Sequence, residues 1–132
     1  MLFRNKLYKK KPKTYIEIQI DENKTNICIY EEYGSKRGDS ISLDYGFENI
    51  LEKSYEEARF FDKQIKETNL ELFLYNHYNK VQPNIRAFIS RIEFLMLCKM
   101  RIPAKIERLY LKGNGSKLFS RELKQTFPNC YI

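Results

Sequence analysis

Apolar and polar residues alternate strictly over Thr14–Ile20, TYIEIQI, with Ile16, Ile18 and Ile20 on one side and Glu17 and Gln19 on the other. Period two is the mark of a strand with one buried face. DENK reads as a turn, and TNICIYEEY as a second strand, Ile27 and Ile29 opposing Cys28 and Tyr30. YGSKRGD, with Gly34 and Gly38, is a second turn, and SISLDY a third strand. Three strands joined by short turns form an antiparallel meander.

Past Gly46 the period changes. Ile50, Leu51, Tyr55, Ala58, Phe61 and Ile65 recur at threes and fours, the spacing of an amphipathic helix that begins near Asn49. LELFLYNHY, Leu70 to Tyr78, suits helix or strand and is read as helix. Pro83 suits the first turn of a further helix, whose buried side is Ile85, Phe88, Ile89, Ile92, Leu95, Met96 and Cys98. Pro103 closes it.

Lys105 to Leu123, KIERLYLKGNGSKLFSREL, organises the rest. Ile106, Leu109 and Leu111 mark a short strand, Gly113 and Gly115 a tight turn, and Ser116 the N-cap of a helix carrying Leu118, Phe119, Leu123 and Phe127 on one face. Backbone N–H groups of such a turn point beyond the strand end, where they can hold a phosphate or serve only as a connection. NCYI is a last short strand. The expected order is β-β-β-α-α-β-α-β, an α/β (α+β) domain of ribonuclease H-like layout, with a three-stranded meander extended by helix-linked strands.

Composition narrows the classes. The 132 residues, 42% hydrophobic and 31% charged, suit one ordered domain over residues 14–132. No run of about 18 apolar residues is present. Cys28, Cys98 and Cys130 are odd in number and far apart, which argues for a reducing compartment, the cytoplasm, and against a metal spacing. The net charge of +7 sits mostly in residues 1–13. There Arg4, Lys6, Lys9, Lys10, Lys11 and Lys13 precede the first acid, Glu17, and no apolar stretch of a secretory signal follows them. Such a flexible basic leader can contact nucleic acid or an anionic membrane surface, or act only as a solvated tail.

The segments also resemble a family, the PilM-like, FtsA-related proteins of actin-like ATPase fold that serve type IV pilus and type II secretion assembly. IQIDENKTNICIY lies over the family's phosphate-cradling (L/V)-D-I-G-x-x-x-T-x-(I/L)-x-(I/V), with Thr25, Asn26, Ile27 and Ile29 matching. ISLDYGFENI is similar to I-P-I-G-G-x-x-I. IRAFISRIEFLMLCKMRIPAKIERLYLKGNGSKL is similar to a helix with an R-x-x-x-F pattern followed by (I/V)-E-(R/K)-(I/L)-x-L-x-G-G-G-S-x-L. Three departures stand out: the family aspartate falls on Gln19, the glycine after it on Asp21, and the middle glycine of the last motif on Asn114. The resemblance therefore implies a single degenerate subdomain, with Asp21, Asn23, Thr25, Gly113, Asn114, Gly115 and Ser116 as residual nucleotide-site positions. ATP binding is not expected, and no metal or other cofactor is assigned.

By the same resemblance the chain is a non-catalytic scaffold of a pilus, secretion or DNA-uptake (competence) assembly, peripheral at the inner membrane. It would bind a short cytoplasmic segment of an inner-membrane partner, and could also self-associate. The alternative is a nucleic-acid-binding module working through the leader, with Phe60, Phe61, Phe73, Tyr75 and Tyr78 as base-stacking or core aromatics. A third class is a metal-dependent nuclease using Glu17, Asp21, Asp44 and Glu48. His77, the sole histidine, lies in a polar stretch read as a loop.

Overall fold

A computed structural model of the chain describes residues 14–31, 36–99 and 108–132. The basic leader (Arg4, Lys6, Lys9, Lys10, Lys11, Lys13), the first turn glycine Gly34, Tyr33, Pro103 and Ile106 lie outside the described residues.

Strands β1 (Thr14–Ile20), β2 (Thr25–Glu31), β3 (Lys36–Leu43), β4 (Arg108–Lys112) and β5 (Cys130–Tyr131) form one sheet in the order β3-β2-β1-β4-β5. β1–β2 and β2–β3 are antiparallel, whereas β1–β4 and β4–β5 are parallel. This is the mixed sheet expected from the meander and the helix-linked strands. Register places Ile18 beside Ile27 and Leu111, and Glu17 beside Cys28 and Tyr110. The alternation in each strand therefore adds up to one apolar and one polar sheet face.

Helices α1 (Phe47–Phe61), α2 (Leu70–Asn76) and α3 (Tyr78–Phe94) follow β3, and α3 runs into a π turn, Leu95–Lys99. Between β4 and β5 stand α4 (Asn114–Leu118) and α5 (Ser120–Thr126). One core joins Ile16, Ile18, Ile20, Ile27 and Ile29 of the sheet to Ile50 and Leu51 of α1, Phe73 of α2, Ile85, Ile89 and Ile92 of α3, and Phe119 and Leu123.

α2 is the helix it was read as, with the Asn69 side chain accepting from the N–H groups of Glu71 (2.8 Å) and Leu72 (3.2 Å) as its N-cap. Several other local expectations are corrected. β3 begins at Lys36, inside the segment read as a turn, and stops before Tyr45. Pro83 is not at a helix start but inside α3, where burial of Val81 as well as Ile85 extends the helix backwards. Its ring is exposed, and it has no N–H to give to the carbonyl of Asn79 one turn before it. Cys98 is exposed because the π turn adds a residue and rotates it off the buried side. Phe61 is 83% exposed; the chain leaves the helix at Asp62 and Ile65 returns to the core instead. The order thus has three helices, not two, after the meander and two short ones, not one, before β5.

Candidate functional site

Parallel pairing of β1 and β4 sets their C-terminal ends side by side, Gln19 beside Lys112. The β1–β2 turn, Asp21 to Lys24, and the turn at Gly113 therefore meet at one end of the sheet. The turn closes on itself through Asp21 N–H donating to the Lys24 carbonyl at 2.8 Å. Gly113 has φ of 86°, which only glycine adopts cheaply, and a Cβ there would stand 2.3 Å from the Ile20 carbonyl oxygen. At Gly115 a Cβ would meet the Ile20 side chain at 2.3 Å. Both glycines are thus required by the close approach of α4 to β1, whatever lies above them.

Ser116 is not the N-cap. Gly113 takes that place, and the buried Ser116 sits inside α4 with its Oγ donating to the Lys112 carbonyl at 2.6 Å. Asn114, in the family's central glycine position, is exposed, as is Asn23. Helix formation also breaks at Phe119 (φ −102°, ψ 19°), so Leu118, Phe119, Leu123 and Phe127 reach the core from two short helices rather than one.

A third element converges here that the spacing of motifs did not reveal. Gly46, just before α1, is so close to the turn that a Cβ would lie 2.1 Å from the Asp21 carbonyl oxygen. Phe47 N–H donates to that carbonyl (3.0 Å) and Glu48 N–H to the Glu22 carbonyl (2.9 Å). The Gly46 N–H is taken by the Asn49 side chain at 2.8 Å. The start of α1 thus spends its free N–H donors on the turn. Thr25, fully buried, ties the same junction by donating its hydroxyl to the Tyr45 carbonyl at 2.8 Å. The signal was present: a lone glycine at a strand-to-helix junction marks close backbone approach.

Gln19 and Asp21, the two departures in the first motif, bond to each other, the amide Nε2 donating to Oδ2 at 3.0 Å. The other carboxylate oxygen lies 2.9 Å from where a Gly113 Cβ would be. A carboxylate therefore fills the space between the two turns. A phosphate approaching there meets like charge, and an amide in place of the family aspartate brings no charge to a magnesium ion.

The carboxylates weighed for metal chemistry are dispersed. Glu17 is paired with Lys112 at 3.2 Å on the polar sheet face, Asp44 is exposed, and Glu48 lies in α1. Among the described residues no three His, Cys, Asp or Glu side chains gather as ligands. His77 links α2 to α3, its Nε2 2.8 Å from Glu67 Oε1. Burial pushes the Glu67 carboxyl up, but the His77 bond and further donors outweigh it and hold the group below the usual carboxylate range. Of the aromatics, Phe73 is core and Tyr78 packs against it, whereas Phe60, Phe61 and Tyr75 are 79%, 83% and 84% exposed.

The polar sheet face is a second feature that motif spacing did not show. Tyr30 stacks on Tyr15 (centroids 5.1 Å), Tyr15 meets Tyr110 edge-on (5.4 Å), and Tyr110 stacks on Tyr131 (5.4 Å). Beside this row lies a hollow of about 310 Å³ bounded by Glu17, Gln19, Asn26, Cys28, Tyr30 and Ser42. The Glu17 charge, and then burial, push the Tyr30 hydroxyl above its ordinary pKa.

The fold as a whole has counterparts among solved structures. Ta0583, an archaeal actin homologue, superposes with a TM-score of 0.72 at 13% identity, over 99% of this chain and 45% of that one. The pSK41 ParM protein gives 0.71 at 12% identity, over 92% and 36%. A chain of the PilM–PilN type IV pilus biogenesis complex gives 0.63 at 20% identity, over 98% and 38%. The fold is that of an actin-like ATPase subdomain. The actin-like chain spans less than half the length of each of these structures. No family model and no curated protein sequence matches it. No described helix is long and apolar enough to cross a membrane.

Proposed function

We propose that this actin-like domain is a non-catalytic scaffold of a type IV pilus, type II secretion or DNA-uptake assembly that binds a short cytoplasmic segment of an inner-membrane protein. The observation that carries the reading is the Asp21 carboxylate, held by Gln19 in the space between the two turns. With it there, the domain retains the scaffold of the fold without its nucleotide chemistry, and binding is the function left. The likeness to the PilM–PilN complex, an assembly of this fold with a partner, supports the direction. Among the described residues β3 stands at the end of the sheet with only β2 beside it, and its outer backbone groups can take an extended peptide as a further strand.

The test uses the full chain as bait in a detergent-solubilised native lysate, with and without nuclease. The expected prey is one inner-membrane protein, retained after nuclease. Its cytoplasmic segment, made as a peptide, then binds the purified chain and slows amide hydrogen exchange across Lys36–Leu43. Prey that vanish with nuclease would instead establish the nucleic-acid reading, and magnesium-dependent ATP hydrolysis by the purified chain would overturn the non-catalytic one.

A further inference from the structure

The two sides of β3 differ, and the difference says what can lie beside it. Ile41 and Leu43 are on the helix-covered side, packed against the core yet only partly buried. Ser40 and Ser42 are on the other side and exposed. Register carries this pattern across the sheet: Ser40 stands beside Cys28 and then Glu17, Ser42 beside Asn26 and then Gln19. The small side chains of Cys28, Ser40 and Ser42 leave the hollow of about 310 Å³ that Tyr30 borders. Regular pairing of β3 with β2 runs over Ser40–Leu43 and is interrupted between Cys28 and Tyr30. The irregularity ends the straight edge there, so a partner is recognised over a short core.

The edge is therefore unfinished in two ways. On the covered side, an apolar side chain set beside Ile41 or Leu43 completes their burial. On the other, Ser40 and Ser42 are too short to fill the hollow. Directly opposed residues on adjacent strands are only about 5 Å apart, so a large side chain on an added strand can lean over the serines towards Cys28 and Asn26. Asn26, Ser40 and Ser42 make no side-chain hydrogen bond among the described residues and are free to meet a polar tip. Charge narrows the choice. A cation reaching the hollow finds the Glu17 carboxylate paired with Lys112 at 3.2 Å, and a carboxylate there meets the Glu17 charge. Asp44 is exposed past the end of β3 and does not border the hollow. The side chain that fits is large, uncharged and able to hydrogen-bond, as tyrosine and glutamine are.

We propose that the β3 edge selects an extended segment in which apolar residues alternate with large uncharged polar ones, the first set beside Ile41 and Leu43 and the second over Ser40 and Ser42. The proposal rests on the strand-addition reading above and adds to it the chemistry of the segment.

The test uses the purified full chain and synthetic peptides with one shared soluble tail: valine alternating with tyrosine, valine with glutamine, valine with alanine, and a shuffled valine–tyrosine sequence. The first two are expected to slow amide exchange across Ser40–Leu43 and to bind about tenfold more tightly than the alanine and shuffled peptides. A Ser40→Gln, Ser42→Tyr double variant fills the hollow from within. It should remove that preference while leaving binding of the alanine peptide unchanged. Both serines are exposed, and circular dichroism checks that the variant folds. Equal binding by all the peptides with the β3 edge protected, or a preference that survives the double variant, would overturn the inference and leave strand addition standing. If neither these peptides nor the captured partner's segment protects the edge, strand addition itself falls, and the inference with it.

Discussion

The two faces of β1 follow from one alternation and have opposite characters. Ile16, Ile18 and Ile20 are fully buried under helices, while Tyr15, Glu17 and Gln19 are only half-buried on the side that bears the tyrosine row. The covered face is closed to chemistry because any polar group placed there must find a partner. The other face tolerates an ion pair, an amide and four tyrosines because water completes their contacts. Stability is therefore concentrated on one side of the sheet, and freedom to vary on the other.

Four substitutions test this division. The largest effect is expected of Ile18→Ala, which removes a fully buried side chain between Ile27 and Leu111. A loss of about 2–5 kcal/mol in chemical denaturation is expected. Gly113→Ala comes next. Its φ of 86° and the Ile20 carbonyl 2.3 Å from the added Cβ predict a loss of about 1–3 kcal/mol, with the β1 end disturbed in hydrogen exchange.

The third substitution concerns a breach of the rule on the covered side. Glu122 of α5 is 2% exposed and its Oε1 has no hydrogen-bond partner. Burial raises its carboxyl above the usual range. A raised carboxyl favours the folded state while protonated, so this contribution is present below the unfolded pKa and is lost as pH rises towards the folded one. Glu122→Gln should therefore gain on the order of 1 kcal/mol at neutral pH and nothing in acid, as read from melting temperatures across that range. The smallest effect belongs to the polar face. Glu17→Gln breaks a pair with a largely exposed Lys112 and should cost about 0–1 kcal/mol, shrinking with salt. A loss as large as that of Ile18→Ala would show that the two faces are not energetically distinct.

Sequence was most legible where a pattern had a single geometric solution. Thr14–Ile20 alternates without a break and forms the strand with those bounds. It was least legible where two local rules competed. Pro83 signals a helix start, but burial of Val81 outweighs the lost hydrogen bond and carries α3 back to Tyr78. Ser116 has the chemistry of an N-cap, yet the conformation of Gly113 begins α4 two residues earlier and turns the hydroxyl to Lys112. Of the positions marked in the two turns, Asp21 and Gly113 lie against each other. Gly46 carried a signal, as a lone glycine where strand gives way to helix, but nothing in its spacing from Asn49 reveals which turn α1 starts against.

By itself the sequence determined which residues are apolar, at what period, and where glycine allows a sharp turn. Those are local properties, set by side-chain chemistry and backbone sterics, and they sufficed for a mixed sheet; the actin-like type was implied by the resemblance of the motifs, with two departures in the first. Tertiary structure alone decided that Gln19 and Asp21 bond to each other, that the N–H groups of α1 are already taken, that the tyrosines of β1, β2, β4 and β5 form one row, and that Phe60 and Phe61 stand outside the core. Each depends on the strand order and on which helix packs where, which are relations between segments distant in the chain. No local pattern carries them.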